Sequence, residues 1–163
     1  MSGKHIEVGD SVPDATLRTL SDEGPVEIEA SEFFRGKKVV VFAVPGAFTP
    51  TCNHHLPTFV ENAAAIKAKG VDEIACLAVN DPFVMGAWGR ALEAEGKVTM
   101  LSDGNAEFSA ALGMTFDGSG FGLGERSHRY AMIVDNGVVT ALNMEEAPGA
   151  CTVSSGAAIL DSL

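Results

Sequence analysis

Short apolar runs alternate along this chain with polar or glycine-containing breaks, a pattern typical of a mixed α/β protein. The longest run, residues 39–44, is rich in β-branched valine. It predicts a strand that is buried on both faces at the centre of a parallel or mixed sheet. Residues 74–79 predict a second buried strand and residues 98–101 a short third one.

Helical patterns lie between these strands. Thr49 predicts an N-cap and Pro50 a first helical position, and an apolar stripe follows until Gly70. Pro57 removes a backbone donor inside this helix, so we expect a kink or a loosened turn there. Further helices are predicted over residues 83–95, with Phe83, Met85 and Trp88 facing inward, and over the shorter stretches 106–112 and 154–160.

Two hairpins are predicted outside these segments. Residues 15–29 alternate in polarity around a turn at residues 21–25, and residues 127–134 and 138–143 flank an Asn-Gly pair, which favours a tight hairpin turn. The glycine-rich residues 114–125 predict a loop. The order of elements indicates an α/β sandwich with a central mixed sheet and an N-terminal hairpin extension, in one domain over residues 1–163.

Composition narrows the possible functions. The chain has 163 residues, of which 46% are hydrophobic and 20% charged, so a folded core is expected. A net charge of −11 argues against nucleic acid or an anionic membrane as a partner. The N-terminal residues lack the apolar core of a signal peptide, and we expect a cytoplasmic protein. Three cysteines do not make a disulfide framework, so they are expected to be buried, metal-binding or catalytic.

Cys52 is the strongest chemical candidate. It falls in the first turn of the helix that begins after Thr49, beyond the carboxyl end of the central strand. Unpaired backbone N–H groups and the helix dipole favour a thiolate there, so the pattern predicts a reactive sulfur. The alternative is a small side chain packed at a helix start. Thr49 could cap the helix, turn its hydroxyl to a substrate at the sulfur, or do both.

Two arginines and two histidines are further candidates for the site, and the sequence leaves their roles open. Arg126 and Arg129 lie where the glycine-rich segment meets a strand, on opposite faces by alternation. A guanidinium facing Cys52 would favour its thiolate and bind an oxygen leaving group, but spacing does not choose between the two arginines. His54 and His55 suggest a metal, yet no further ligand cluster accompanies them, so we expect no metal and a packed His55.

The segments 44–52, 55–57, 79–85, 101–104 and 122–130 together resemble the signature blocks of the type II (peroxiredoxin 5-like) peroxiredoxins. The resemblance runs along nearly the whole chain. It implies a thioredoxin-like three-layer sandwich, a homodimer, and activity without a metal or organic cofactor. It also implies that Cys52 is the peroxidatic cysteine, that Thr49 and Pro45 are its pocket partners, and that Arg126 is the active-site arginine.

The function implied is a thiol peroxidase acting on hydrogen peroxide and alkyl hydroperoxides. Cys52 would become a sulfenic acid and be recycled by glutathione and glutaredoxin or by thioredoxin. Cys76 and Cys151 are possible resolving cysteines, or else inert. A thioredoxin-like disulfide oxidoreductase is disfavoured because no Cys-x-x-Cys exists. A non-enzymatic redox sensor or metal-binding module is the remaining alternative.

The turn after Cys52 departs from the pattern of this family. Only Asn53 and His54 separate Cys52 from His55, where the family usually has three residues, and Asn53 replaces a usual serine. A missing residue rotates the following positions by about 100° around the helix. This departure bears on the role of His55 and on the ease of local unfolding, but not on Cys52, since the segment upstream of it matches.

Overall fold

The computed structural model describes residues 5–147 and 149–163. The strands are β1 (Thr16–Ser21), β2 (Gly24–Glu29), β3 (Lys38–Val44), β4 (Glu73–Ala78), β5 (Thr99–Ser102), β6 (Thr115–Asp117), β7 (Glu125–Ser127), β8 (Tyr130–Asp135) and β9 (Val138–Met144). The helices are α1 (Ala30–Phe34), α2 (Pro50–Ala68), α3 (Pro82–Ala91), α4 (Glu107–Ala111) and α5 (Gly156–Leu160).

Strand β3 lies near the middle of a seven-stranded sheet with the order β2-β1-β5-β4-β3-β8-β9. It pairs in parallel with β4 and antiparallel with β8, so the sheet is mixed. Residues 39–44 are all buried, as a strand covered on both faces requires. The hairpin of β1 and β2 joins the sheet through β5. The predicted central mixed sheet with its N-terminal hairpin is confirmed.

Helices cover both faces of this sheet, which gives three layers. On one face of the sheet, α2, α3 and α5 pack in a core that includes Phe42 and Ala131. On the other face, α1 and α4 pack in a core that includes Val41 and Tyr130. The rings of Phe42 and Phe59 stack with centroids 3.9 Å apart. This stack holds α2 on β3, the strand that leads into it.

Helix α2 begins as the sequence predicts, with Thr49 at its N-cap, Pro50 first and Cys52 third. The Thr49 hydroxyl does not cap the helix; it donates instead to the Gly46 carbonyl at 2.8 Å. The helix continues through Pro57 to Ala68. The turn that carries Cys52 is therefore the start of one long helix.

Two expectations were wrong. Phe83 was predicted to face inward, but its side chain is 61% exposed. Asp81 caps α3, and the helix turns Met85 and Trp88 to the core; since Phe83 lies two residues before Met85, it points about 200° away from it. Residues 114–125 were predicted to be a loop, but they contain β6, a 3-10 turn and the start of β7. Three-residue strands are too short for alternation to reveal them.

Within the described residues, no helix combines the length and the apolar character needed to span a membrane.

Candidate active site

The Cys52 side chain is fully buried in the first turn of α2, just beyond the carboxyl end of β3. Its Sγ accepts a hydrogen bond from Nη2 of Arg129 at 3.1 Å. A planar guanidinium in direct contact with sulfur stabilises negative charge there, and the unpaired N–H groups of the helix start act in the same direction. The Cys52 sulfur therefore lies against a fixed positive charge at the start of a helix.

Arg129 lies immediately before β8 and is 2% exposed. Its second terminal nitrogen, Nη1, donates to Nδ1 of His55 at 2.9 Å. One guanidinium therefore bridges the sulfur and the imidazole. Alternation places Arg129 on the same sheet face as Ala131, which belongs to the core under α2, and this explains why it reaches the helix.

Arg126, the arginine that the resemblance assigned to the active site, contacts the protein backbone instead of the thiol. Its Nε donates to the Leu123 carbonyl at 2.9 Å and its Nη1 to the Pro45 carbonyl at 3.1 Å. A Cβ at Gly46 would lie 2.7 Å from this Nη1, so glycine there permits the approach. Arg126 joins the β6–β7 hairpin to the loop before Cys52, whereas the arginine in contact with the Cys52 sulfur is Arg129.

His55 is fully buried between two hydrogen-bond partners. Its Nε2 bonds the Ser154 carbonyl at 2.8 Å, so the proton lies on Nε2 and Nδ1 is free to accept from Arg129. Burial lowers the pKa of His55 to about 4, with the charge of Arg129 adding to the effect against the bond to Ser154. The imidazole is therefore neutral at physiological pH. The prediction of a packed His55 is confirmed, and its neighbour His54 is exposed.

A largely apolar groove opens beside the thiol. Its walls come from the loop before α2, the β6–β7 hairpin and the segment after β9, and its lining residues are Pro45, Thr49, Pro50, Thr51, Phe116, Phe121, Leu123, Arg129 and Gly149. Two predicted site residues, Pro45 and Thr49, are thus brought together with Arg129. The groove therefore reaches Arg129, whose guanidinium contacts the Cys52 sulfur.

The other two cysteines differ in their surroundings, and all three thiols are free. Cys76 lies on β4 beside Phe42 and is fully buried, and this burial raises the pKa of its thiol, with the nearby Cys52 adding to the effect. Cys151 is only partly buried. Burial also raises its pKa, while the charge of Arg129 opposes the shift. Neither thiol is activated as a nucleophile in this conformation.

In residues 5–147 and 149–163, no group of three or more His, Cys, Asp or Glu side chains is arranged to hold a metal ion.

Known proteins that resemble this chain agree on one family. A family profile described as Redoxin matches residues 7–160. Peroxiredoxin-2E-2, chloroplastic, of Oryza sativa subsp. japonica is 51% identical over 97% of this chain and 72% of its own length. The structure of reduced Prx3 of Vibrio vulnificus in complex with H2O2 is 55% identical, with a TM-score of 0.91 over 96% of this chain and 98% of that chain. Peroxiredoxin 5 of Alvinella pompejana is 38% identical, with a TM-score of 0.85 over 96% and 97%.

A mixed sheet covered by helices, with a cysteine in the first turn after its central strand, defines a thioredoxin-like thiol protein. Proteins of this class differ in what their thiols do, and here the matching relatives agree. The chain belongs to the Redoxin family and, within it, to the peroxiredoxins, which are thiol-dependent peroxidases.

Proposed function

We propose that Cys52 is the peroxidatic thiol of this peroxidase and that Arg129, Thr49 and Pro45 complete its site. The observation that carries the proposal is the 3.1 Å contact between Arg129 and the Cys52 sulfur, at the end of a groove. Among the hydrogen bonds of the described residues, a guanidinium donates to the Cys52 sulfur, and burial disfavours the thiolate form of both Cys76 and Cys151.

The chemistry uses no group outside the chain and the substrate. The Cys52 thiolate attacks one peroxide oxygen, a sulfur–oxygen bond forms and the oxygen–oxygen bond breaks. Sulfur is oxidised to the sulfenic acid, which keeps the hydrogen of the attacked O–H, and the departing oxygen takes a proton from solvent to leave as water or an alcohol. Negative charge thus moves from sulfur to that oxygen during the reaction.

Arg129 suits this movement of charge because its guanidinium touches the sulfur at the start, and its fixed positive charge stabilises negative charge on the sulfur and on the departing oxygen alike. Thr49 lines the same groove, and its hydroxyl, now bonded to the Gly46 carbonyl, can bond a bound peroxide. Pro45 forms part of the wall, where it limits access of water to the sulfenic acid. The apolar lining is compatible with alkyl hydroperoxides as well as hydrogen peroxide.

The proposal is tested by stopped-flow measurement of hydrogen peroxide consumption. Cys52→Ser is expected to react no faster than the uncatalysed background. Arg129→Lys is expected to lower the second-order rate constant by about 100-fold, since one preorganised donor is worth roughly 10²–10³ in rate. Arg126→Lys, the same exchange three residues away, is expected to cost less than Arg129→Lys. Retained activity in Cys52→Ser, or the reverse ranking of the two arginines, would contradict the proposal.

We propose that the sulfenic acid is reduced by an external thiol, from glutathione with glutaredoxin or from thioredoxin. Peroxiredoxins as a class are reduced by thiols, and the internal candidates are poorly placed in this fold. Cys76 is sealed in the core, and the segment after Cys151 is held by hydrogen bonds from Thr152 and Ser154 to Glu145. Mass spectrometry after one equivalent of peroxide is expected to show a sulfenic acid. An intramolecular disulfide to Cys76 or Cys151 would overturn this part.

We further propose one domain over residues 1–163, a homodimer and a cytoplasmic location. Family resemblance supports the dimer, and aromatic side chains exposed near the groove support it independently. The alternative location is a plastid, because the relatives Peroxiredoxin-2E-2 of rice and Peroxiredoxin-2E of Arabidopsis thaliana are named as chloroplastic. Imaging of a fluorescent fusion in the source cells distinguishes the two.

A further inference from the structure

We propose that Glu145 is a positioning residue that holds the Arg129 guanidinium against Cys52, acting through two intermediate residues. The inference rests on the proposed function, in which Cys52 is the reacting thiol. Glu145 follows β9 and is 6% exposed, although no part of the proposed chemistry uses a carboxylate. A buried acid next to a site that needs negative charge on sulfur requires an explanation.

The Glu145 carboxylate holds the segment after Cys151 with four hydrogen bonds. Oε2 accepts from the Ser154 backbone N–H at 2.8 Å, the Ser154 hydroxyl at 2.6 Å and the Thr152 backbone N–H at 2.7 Å. Oε1 accepts from the Thr152 hydroxyl at 3.1 Å. Burial alone would raise the pKa of Glu145, but these hydrogen bonds lower it below its ordinary value. The Glu145 carboxylate is therefore ionised at neutral pH. We refer to it and its four hydrogen bonds as the clamp.

The clamp fixes the carbonyl that orients His55. Ser154 is held by Glu145 at both its N–H and its hydroxyl, and its carbonyl accepts from Nε2 of His55 at 2.8 Å. With the proton on Nε2, Nδ1 can accept from Arg129 at 2.9 Å. A carbonyl that holds one ring nitrogen thus selects the tautomer and ring orientation that the other nitrogen needs.

Glu145 is also linked to Arg129 through the main chain. The Glu145 backbone N–H donates to the Arg129 carbonyl at 3.0 Å. Arg129 is therefore tied to Glu145 by its backbone directly and by its side chain through His55 and Ser154. Both ends of the arginine are restrained relative to the same residue, so its guanidinium is kept within hydrogen-bond distance of the sulfur.

The sign of the effect separates positioning from simple electrostatics. A carboxylate near Cys52 disfavours a thiolate by charge repulsion, so removal of its charge alone should make the thiolate easier to form. If Glu145 positions Arg129, its loss should instead make the thiolate harder to form, because the guanidinium is no longer held on the sulfur. The two explanations predict shifts in opposite directions.

The experiment compares Glu145→Gln with Glu146→Gln, its exposed neighbour, which loses the same charge. Iodoacetamide alkylation is followed against pH, and peptide mass spectrometry reports Cys52 alone. For Glu145→Gln we expect the alkylation midpoint to rise by about one pH unit and the rate constant with peroxide to fall by about tenfold, as for loss of an outer-shell partner. For Glu146→Gln we expect neither change. An unchanged or lowered midpoint in Glu145→Gln would overturn the proposal.

A second arm tests the route. In a His55→Leu background, where the link is absent, Glu145→Gln should produce no further rise of the midpoint, since its positioning effect passes through the imidazole and only the opposite effect of the lost charge remains. Additive shifts would overturn the route. If Glu145→Gln does not fold, as judged by circular dichroism, Ser154→Ala removes one clamp donor and keeps the charge; it should raise the midpoint less but in the same direction, and no rise would contradict the proposal. Alkylation requires no peroxide, so this result is independent of whether Cys52→Ser abolishes peroxidase activity.

Discussion

The His55 imidazole lies between a carbonyl that needs a donor and a guanidinium that needs an acceptor, and only the neutral ring meets both needs. Protonation would place a cation against Arg129 and remove the lone pair that Nδ1 offers. The structure keeps the ring neutral by burial, which explains the lowered pKa of about 4. A single residue thus makes the site sensitive to acid.

This arrangement gives the folded state a defined dependence on pH. The pKa of His55 is about 4 when folded against an unperturbed value of 6.5, so the unfolded chain binds the extra proton between these values. Stability is complete above about pH 6.5 and falls as pH drops towards 4. From pH 7 to pH 5 we expect His55 to account for a loss of about 2 kcal/mol in the free energy of unfolding, since one pKa unit is about 1.4 kcal/mol.

Urea unfolding of the parent chain and of His55→Asn at both pH values isolates this contribution, because the other titrating groups are common to both proteins. The parent should lose about 2 kcal/mol more than the variant. Equal losses would show that His55 does not titrate in this range in the unfolded chain or is not kept neutral in the folded one.

Asn53 anchors the first turn of α2 at the level of the element. Its Oδ1 accepts from Trp88 Nε1 at 2.7 Å, which joins α2 to α3, and its Nδ2 donates to the Phe48 carbonyl at 3.4 Å. Phe48 has a φ of 66°, a left-handed conformation that is uncommon outside glycine. The residue that replaces the family's usual serine thus connects the loop before Cys52, its own helix and the neighbouring helix.

Replacement of Asn53 by serine should therefore loosen the turn that carries Cys52. A serine side chain is too short to keep both contacts, and the loss of a buried donor's partner costs about 1–3 kcal/mol. We expect hydrogen exchange of the backbone amides of residues 52–56 to accelerate by about tenfold or more. We also expect the fluorescence of Trp88, the single tryptophan of the chain, to change.

Asn62→Ser provides the matched control on the same helix. The Asn62 side chain donates to the Thr58 carbonyl at 2.7 Å, one turn away, and makes no contact with α3 in the hydrogen bonds described. It should leave both readouts of the first turn unchanged. Similar acceleration in the two variants would indicate that the helix, and not the bond to Trp88, sets the exchange rate.

Exposed aromatic side chains gather at one end of the whole molecule. Phe48, Phe83 and Phe121 are 50%, 61% and 86% exposed, and they follow or adjoin the carboxyl ends of the central strands, where the groove lies. Exposed apolar clusters of this kind mark interaction surfaces. We expect this end to form the proposed dimer interface.

Phe121→Glu should convert the dimer to a monomer, because burying a carboxylate in an apolar interface is unfavourable. Val8→Glu is the control, since Val8 is 59% exposed and lies near the β8–β9 turn at the opposite end. Sedimentation velocity should show one monomeric species for the first variant and a dimer for the parent and the second. A dimeric Phe121→Glu would place the interface elsewhere.

The local pattern by itself determined the central strand β3, the start of α2 and the place of Cys52 in its first turn. Burial periodicity, a threonine at the N-cap position and a proline at the first helical position act over a few residues, so they can be recognised in the sequence. The same holds for the N-terminal hairpin. The alternation of Arg126 and Arg129 along one strand was wrong, because Arg126 lies on β7 of the two-stranded sheet and Arg129 lies just before β8 of the seven-stranded sheet.

Only the tertiary structure decided which arginine contacts the Cys52 sulfur and which residues hold that arginine in place. Cys52 meets Arg129 across 77 positions, and His55 meets Ser154 across 99. These contacts depend on which sheet face α2 covers and on where the segment after β9 returns, and no local preference encodes either. Glu145 carried no sequence signal at all, because its proposed role depends on the hydrogen bonds that link Ser154, His55 and Arg129, and these form only in the folded protein.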